Sequence, residues 1–108
     1  MTYESSLIAL ADPTRRAILE RLRRGPLPVG EIAADLPVSR AAVSQHLRVL
    51  KEAELVSDSA EGTKRIYRAE PRGLEELQKY IEQFWGDVMR AYGARAAAER
   101  TKKRRRTK

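Results

Sequence analysis

Between Val29 and Leu50 the chain carries two short apolar stripes at helical spacing, separated only by Pro37-Val38. Ile32, Ala33 and Leu36 form the first stripe, and Val43, Leu47 and Leu50 form the second. Two helices joined over so short a turn must cross steeply, and Ala33 is small where their axes approach. Val38 plugs the turn, and Ser39 is a good N-cap for the second helix. The spacing predicts one helix over 29–36 and another over 39–54, with Pro37 where such turns often carry glycine.

The next residues restrict the fold further. Leu55 and Val56 open an extended stretch, and Glu61-Gly62 separates residues 56–60 from 64–69, which reads as a β-hairpin. A helix–turn–helix joined directly to a hairpin is a winged helix–turn–helix. Upstream, Leu7, Ile8, Leu10 and Ala11 suggest a short first helix. Asp12-Pro13 supplies an N-cap and a first-turn proline for a second helix reaching about Arg24. Ile18, Leu19 and Leu22 line its inner face, and Gly25-Pro26-Leu27-Pro28 stops it. Pro71 opens a last helix that continues past Tyr92. The expected fold is mainly α, with about five helices and a two-stranded wing, in one domain over residues 1–99.

The chain has 108 residues and a net charge of +7, but the charge is unevenly placed. Residues 100–108 hold seven of the 22 basic residues, leaving 15 against 15 acids in residues 1–99. The basic end is a tail of low complexity, expected to be disordered and to add phosphate contact without sequence choice. Any case for nucleic-acid binding by the body must therefore rest on where its charges sit. Cysteine is absent, which removes disulfides, thiolate metal sites and cysteine nucleophiles. No apolar run approaches the roughly 20 residues of a membrane span, and Met1-Thr2-Tyr3-Glu4 does not resemble a signal peptide. A cytoplasmic protein without membrane contact is expected.

The outward face of the fourth helix is the chemically informative surface. Arg40, Ala41, Ser44, Gln45 and Arg48 lie away from Val43 and Leu47, and the helix has no acid before Glu52. Small residues let a backbone approach a groove. Gln45 can bond bidentately to adenine, and Arg40 or Arg48 to guanine or phosphate. Ser39 and the helix N-terminus can hold a phosphate. On the wing, Thr63, Lys64 and Arg65 suit phosphate or minor-groove contact. His46 borders the inward face and can bond either a phosphate or a backbone carbonyl. Arg15 points with Ile18 and Leu22, as a structural ion pair or cap would. No nucleophile–base–acid constellation surrounds any of these residues, so neither catalysis nor a cofactor is expected.

At 100° per residue the last helix gathers Leu77, Ile81, Phe84, Trp85 and Val88 into an apolar arc wider than the ~100° stripe of one core contact. Leu74, Leu77, Ile81, Phe84 and Val88 keep the alternating three- and four-residue steps of a helix–helix seam. A homodimer interface is the expected use.

Ala9-Leu10-Ala11-Asp12-Pro13-Thr14-Arg15-Arg16-Ala17-Ile18-Leu19, Val38 to Lys51, Leu55-Val56 and Gly62 to Tyr67 together resemble the ArsR-type winged helix–turn–helix repressors over about residues 5–92. The resemblance implies a homodimer formed by the first and last helices, which brings Leu7 into the interface. It also implies binding of double-stranded operator DNA at an imperfect inverted repeat, with repression relieved by a signal of unspecified chemistry. Many members sense metals through cysteine, histidine and carboxylate ligands. With no cysteine and His46 as the sole histidine, this chain resembles the metal-independent branch. The rival readings are a non-specific architectural DNA-binding protein, favoured by the tail, and a protein-interaction module, which would need an apolar face at residues 40–48.

Overall fold

A computed structural model describes residues 3–106. The described part of Met1–Leu77 forms one compact unit, and the chain from Gln78 forms a second, helical one. The elements are α1 (Tyr3–Leu10), α2 (Pro13–Leu22), β1 (Leu27–Pro28), α3 (Val29–Ala34), α4 (Arg40–Glu52), β2 (Val56–Glu61), β3 (Lys64–Ala69) and α5 (Pro71–Arg106). This is the expected five-helix winged helix–turn–helix, with one addition. The sheet has three strands in the order β1-β3-β2, because Leu27 and Pro28 pair antiparallel with Tyr67 and Ile66. The expected wing had two strands. The third escapes a local reading because it is two residues long and its partner is about forty residues away.

Local chemistry sets the element ends. The Asp12 carboxylate accepts from Thr14 N (2.7 Å) and Arg15 N (3.2 Å), and Pro13 follows it. Ser39 Oγ accepts from Ala42 N at 3.0 Å, satisfying a donor that the first turn of α4 leaves orphaned. At the other end of α4, Leu55 N donates to Leu50 O (2.9 Å) and Glu54 N to Lys51 O (3.0 Å). These are the two crossed bonds of a Schellman cap, with Glu54 at φ 58° in the left-handed position usually taken by glycine. Glu61 pairs with Lys64, so the hairpin loop is Gly62-Thr63. Gly62 has φ 63° and Thr63 does not go positive, the pattern of a type II′ turn.

The core of the first unit is built from Ala9, Ile18, Leu22, Ile32, Val43, Leu47, Leu50, Leu55 and Val56, all buried. Each large aliphatic side chain so buried contributes ~1.5–3 kcal/mol of transfer free energy. Leu36 and Val38 pack against the same cluster from the turn between α3 and α4. The root of α5 meets the end of α4 backbone to backbone. Gly73 N donates to Glu54 O (2.9 Å), and Ser6 Oγ donates to Gly73 O (2.9 Å). A Cβ at Gly73 would overlap the Ala53 carbonyl oxygen. Glycine is therefore required here by close approach.

The second unit is the remainder of α5. Gln78 donates to Glu82 at 2.9 Å, Arg95 pairs with Glu99 at 3.8 Å, and Thr101 Oγ1 donates to Ala97 O at 3.1 Å. Residues 100–106, expected to be disordered, are helical: α5 carries through Arg106. Ala96-Ala97-Ala98 and the lysines and arginines beyond them are strong helix formers, and a helix already running has no nucleation cost left to meet. Thr107 and Lys108 lie outside the described residues. Ile81, Phe84, Trp85 and Val88 are between 38 and 58 % exposed, and Tyr80 stacks on Phe84 with centroids 6.2 Å apart. Leu77, assigned from sequence to the same face, is only 7 % exposed within the first unit, so its contribution is to the chain's own core. Leu7 is exposed on α1.

Candidate nucleic-acid interface

The fourth helix presents the surface anticipated from its sequence. Val43, Leu47 and Leu50 turn inward and are buried, while Ser39, Arg40, Ala41, Ser44, Gln45 and Arg48 are exposed. Arg40, Gln45 and Arg48 have no hydrogen-bond or ion-pair partner among the described residues, so their donors face solvent uncommitted. The burial pattern, with apolar residues three and four apart, leaves these side chains no other direction.

Arg40 does not stand alone. A groove of about 390 Å³ is lined by Pro28, Val29, Gly30, Glu31, Arg40, Thr63, Lys64 and Arg65. The start of α3, the start of α4 and the tip of the wing thus form one cleft with three cations and one acid. Gly30 was not singled out from sequence. It lines the cleft beside Arg40, and a Cβ there would meet the Arg40 guanidinium only at an ordinary 3.9 Å.

Two of the residues expected to contact DNA have partners within the chain. Arg65 Nη1 donates to Asp58 Oδ2 at 2.7 Å, and Lys51 Nζ pairs with Asp58 Oδ1 at 2.8 Å. Arg65 is therefore not a free cation. The Asp58 side chain is 6 % exposed, against 56 % for each of its partners. The hydrogen bond from Lys51 holds the Asp58 carboxyl below its ordinary value against the opposing effect of burial, and Arg65 adds to it. The same pairing pushes the Arg65 guanidinium above its ordinary value. Asp58 was missed in the sequence. The signal was its parity: it lies two residues from buried Val56 and so on the same face of the strand, where a charge needs a partner.

His46 is half-buried, and its ring meets a side chain of α2. Arg15 Nη1 lies 3.4 Å from His46 Nδ1. Arg15 itself is the cap its position suggests. Its Nε donates to Ala9 O (2.6 Å) and its Nη2 to Ile8 O (3.1 Å), while Arg16 Nη1 reaches Leu10 O (2.7 Å). The two arginines satisfy carbonyls that the end of α1 leaves orphaned, and Arg15 links that end to the recognition helix. Asp12 lies beside this network. Partial desolvation raises its carboxyl, but the bonds from Arg15 N and Thr14 N outweigh this and hold it low.

Two helices packed through a short turn, a wing tied to the second of them and an exposed face without acids define a winged-helix, DNA-binding transcriptional regulator. Similarity to known proteins gives the family. Residues 12–58 match the model of the bacterial regulatory protein, arsR family. The HTH-type transcriptional regulator Rv2034 of Mycobacterium tuberculosis is 58 % identical over 84 residues, covering 78 % of each chain. The transcriptional repressor SdpR of Bacillus subtilis is 36 % identical over 76 residues, covering 70 % of this chain and 84 % of that one. An ArsR-like transcriptional regulator from Rhodococcus sp. RHA1 superposes with a TM-score of 0.76 at 33 % identity, over 85 % of this chain and 87 % of that one. The chain belongs to the ArsR family, whose members regulate transcription by binding DNA and are not enzymes. No helix among the described residues is long and apolar enough to cross a membrane.

Proposed function

We propose that this chain is a transcriptional repressor that binds an imperfect inverted repeat as a homodimer. Two copies of α4, related by a two-fold axis, enter successive major grooves about one helical turn apart. Gln45 reads a base edge, Arg40 and Arg48 contact guanine or phosphate, and Ala41 and Ser44 allow the close approach. Ser39, Thr63 and Lys64 fix the register on the backbone. The exposed Ile81, Phe84, Trp85 and Val88 of α5 make one dimer contact, and the exposed Leu7 of α1 makes another. The protein works in the cytoplasm. Its inducing signal is not a transition metal, since the chain has no cysteine and a single histidine.

The observation that carries this reading is the uncommitted, acid-free face of α4 next to the cationic cleft at the wing tip. It is tested by titrating the protein against its own upstream DNA and a scrambled control at several salt concentrations. A clear preference for the upstream DNA is expected, lost in Arg40→Ala or Gln45→Ala. Equal affinity for both DNAs would instead support an architectural protein that binds without sequence choice.

A further inference from the structure

We infer that Asp58 is a positioning residue for DNA selectivity: it ties the wing to the recognition helix and withholds Arg65 from sequence-independent phosphate contact. The inference rests on the DNA-binding reading above.

The geometry is a three-element clamp. Asp58 on β2 accepts from Lys51 at the last turn of α4 and from Arg65 on β3, using one carboxylate oxygen for each. The hairpin alone would hold β2 to β3, since six residue pairs join them. The Lys51 contact is different, because it links the wing to the helix that reads the groove. The carboxylate is buried while both cations are exposed, so the acid sits beneath them and is no repulsive patch on the surface. The three groups together carry one positive charge where two cations alone would carry two. In a DNA interface that reduction weakens binding to every sequence equally. It leaves the difference between sequences to Arg40, Gln45 and Arg48, which no acid neutralises among the described residues. Arg68 on the same strand is also paired, with Glu61 at 3.7 Å, leaving Lys64 as the unpaired cation of the wing among the described residues.

The test compares wild type, Asp58→Asn, Arg65→Gln and the double variant on upstream and scrambled DNA across a salt series. Unfolding curves first establish that each variant is folded. Asp58→Asn is expected to bind scrambled DNA several-fold more tightly at low salt. Its slope of log K against log salt should steepen by about one phosphate contact. Its preference for the upstream DNA should fall at least threefold, because loss of the Lys51–Asp58 tie frees the wing from α4, and that fall should persist in the double variant. Arg65→Gln alone is expected to leave the slope unchanged, and the double variant is expected to return it to the wild-type value. A loss of stability alone would not move the slope. An unchanged slope and preference in Asp58→Asn, or a shallower slope in Arg65→Gln, would overturn the inference. Wild type without any preference for upstream DNA would refute the repressor reading, whatever the variants do.

Discussion

Single residues set this fold's tolerances, and Gly73 is the least replaceable. A methyl group there meets the Ala53 carbonyl, and neither backbone can move without breaking the Glu54, Leu55 and Ser6 bonds that join α4, α5 and α1. Gly73→Ala should destabilise by ~1–3 kcal/mol, as overpacking does, and lower the urea midpoint at unchanged m-value. A midpoint equal to wild type would contradict the close approach. None of this is legible in Pro71-Arg72-Gly73, because the constraint comes from a segment twenty residues away. Asp12 and Ser39 are legible because a cap acts within three residues. Asp58 has a further consequence for pH dependence. Its folded-state value lies below the ordinary 3.8, as does that of Asp12. Both therefore contribute stability that is fully present above the unfolded value and lost as pH falls through the lower folded value. Thermal midpoints should be flat in this respect above about pH 5 and fall below about pH 4. Asp58→Asn should show a smaller fall over that acid range, and an identical acid profile would refute the assignment.

At the scale of elements, what was readable was whatever a local period or cap determines. The stripe Val43-Leu47-Leu50 placed α4 and its outward face, and the alternation around Gly62 placed the hairpin. What was not readable depends on partners distant in sequence. Leu27-Pro28 looks like a helix stop, and becomes a strand only because β3 offers it an edge. The cationic cleft exists because α3, α4 and the wing tip converge, and no spacing along the chain announces it. His46 and Arg65 were grouped with the DNA contacts on charge and position alone. Their contacts with Arg15 and Asp58 arise from packing between elements. The helical run to Arg106 shows the opposite error: a basic, repetitive composition suggested disorder, while the preceding alanines and i,i+4 pairs favour a helix.

For the whole molecule the deciding feature is assembly. Large apolar side chains along α5 are half-exposed in the single chain, and each forfeits roughly half of the ~1.5–3 kcal/mol that full burial from water would give. A second copy covering them gives the two-fold symmetry that an inverted repeat requires. Sedimentation should show a dimer, and Phe84→Glu with Val88→Glu should yield a folded monomer with much weaker operator binding. A monomeric unmodified chain would remove the proposed interface. The central claim is that α4 reads sequence, twice, on one face of the duplex. Hydroxyl-radical footprinting on the chain's own upstream DNA tests it most directly. Two protected patches are expected about one helical turn apart, related by a dyad and absent with Gln45→Ala. Even protection along the fragment, unchanged in that variant, would contradict it.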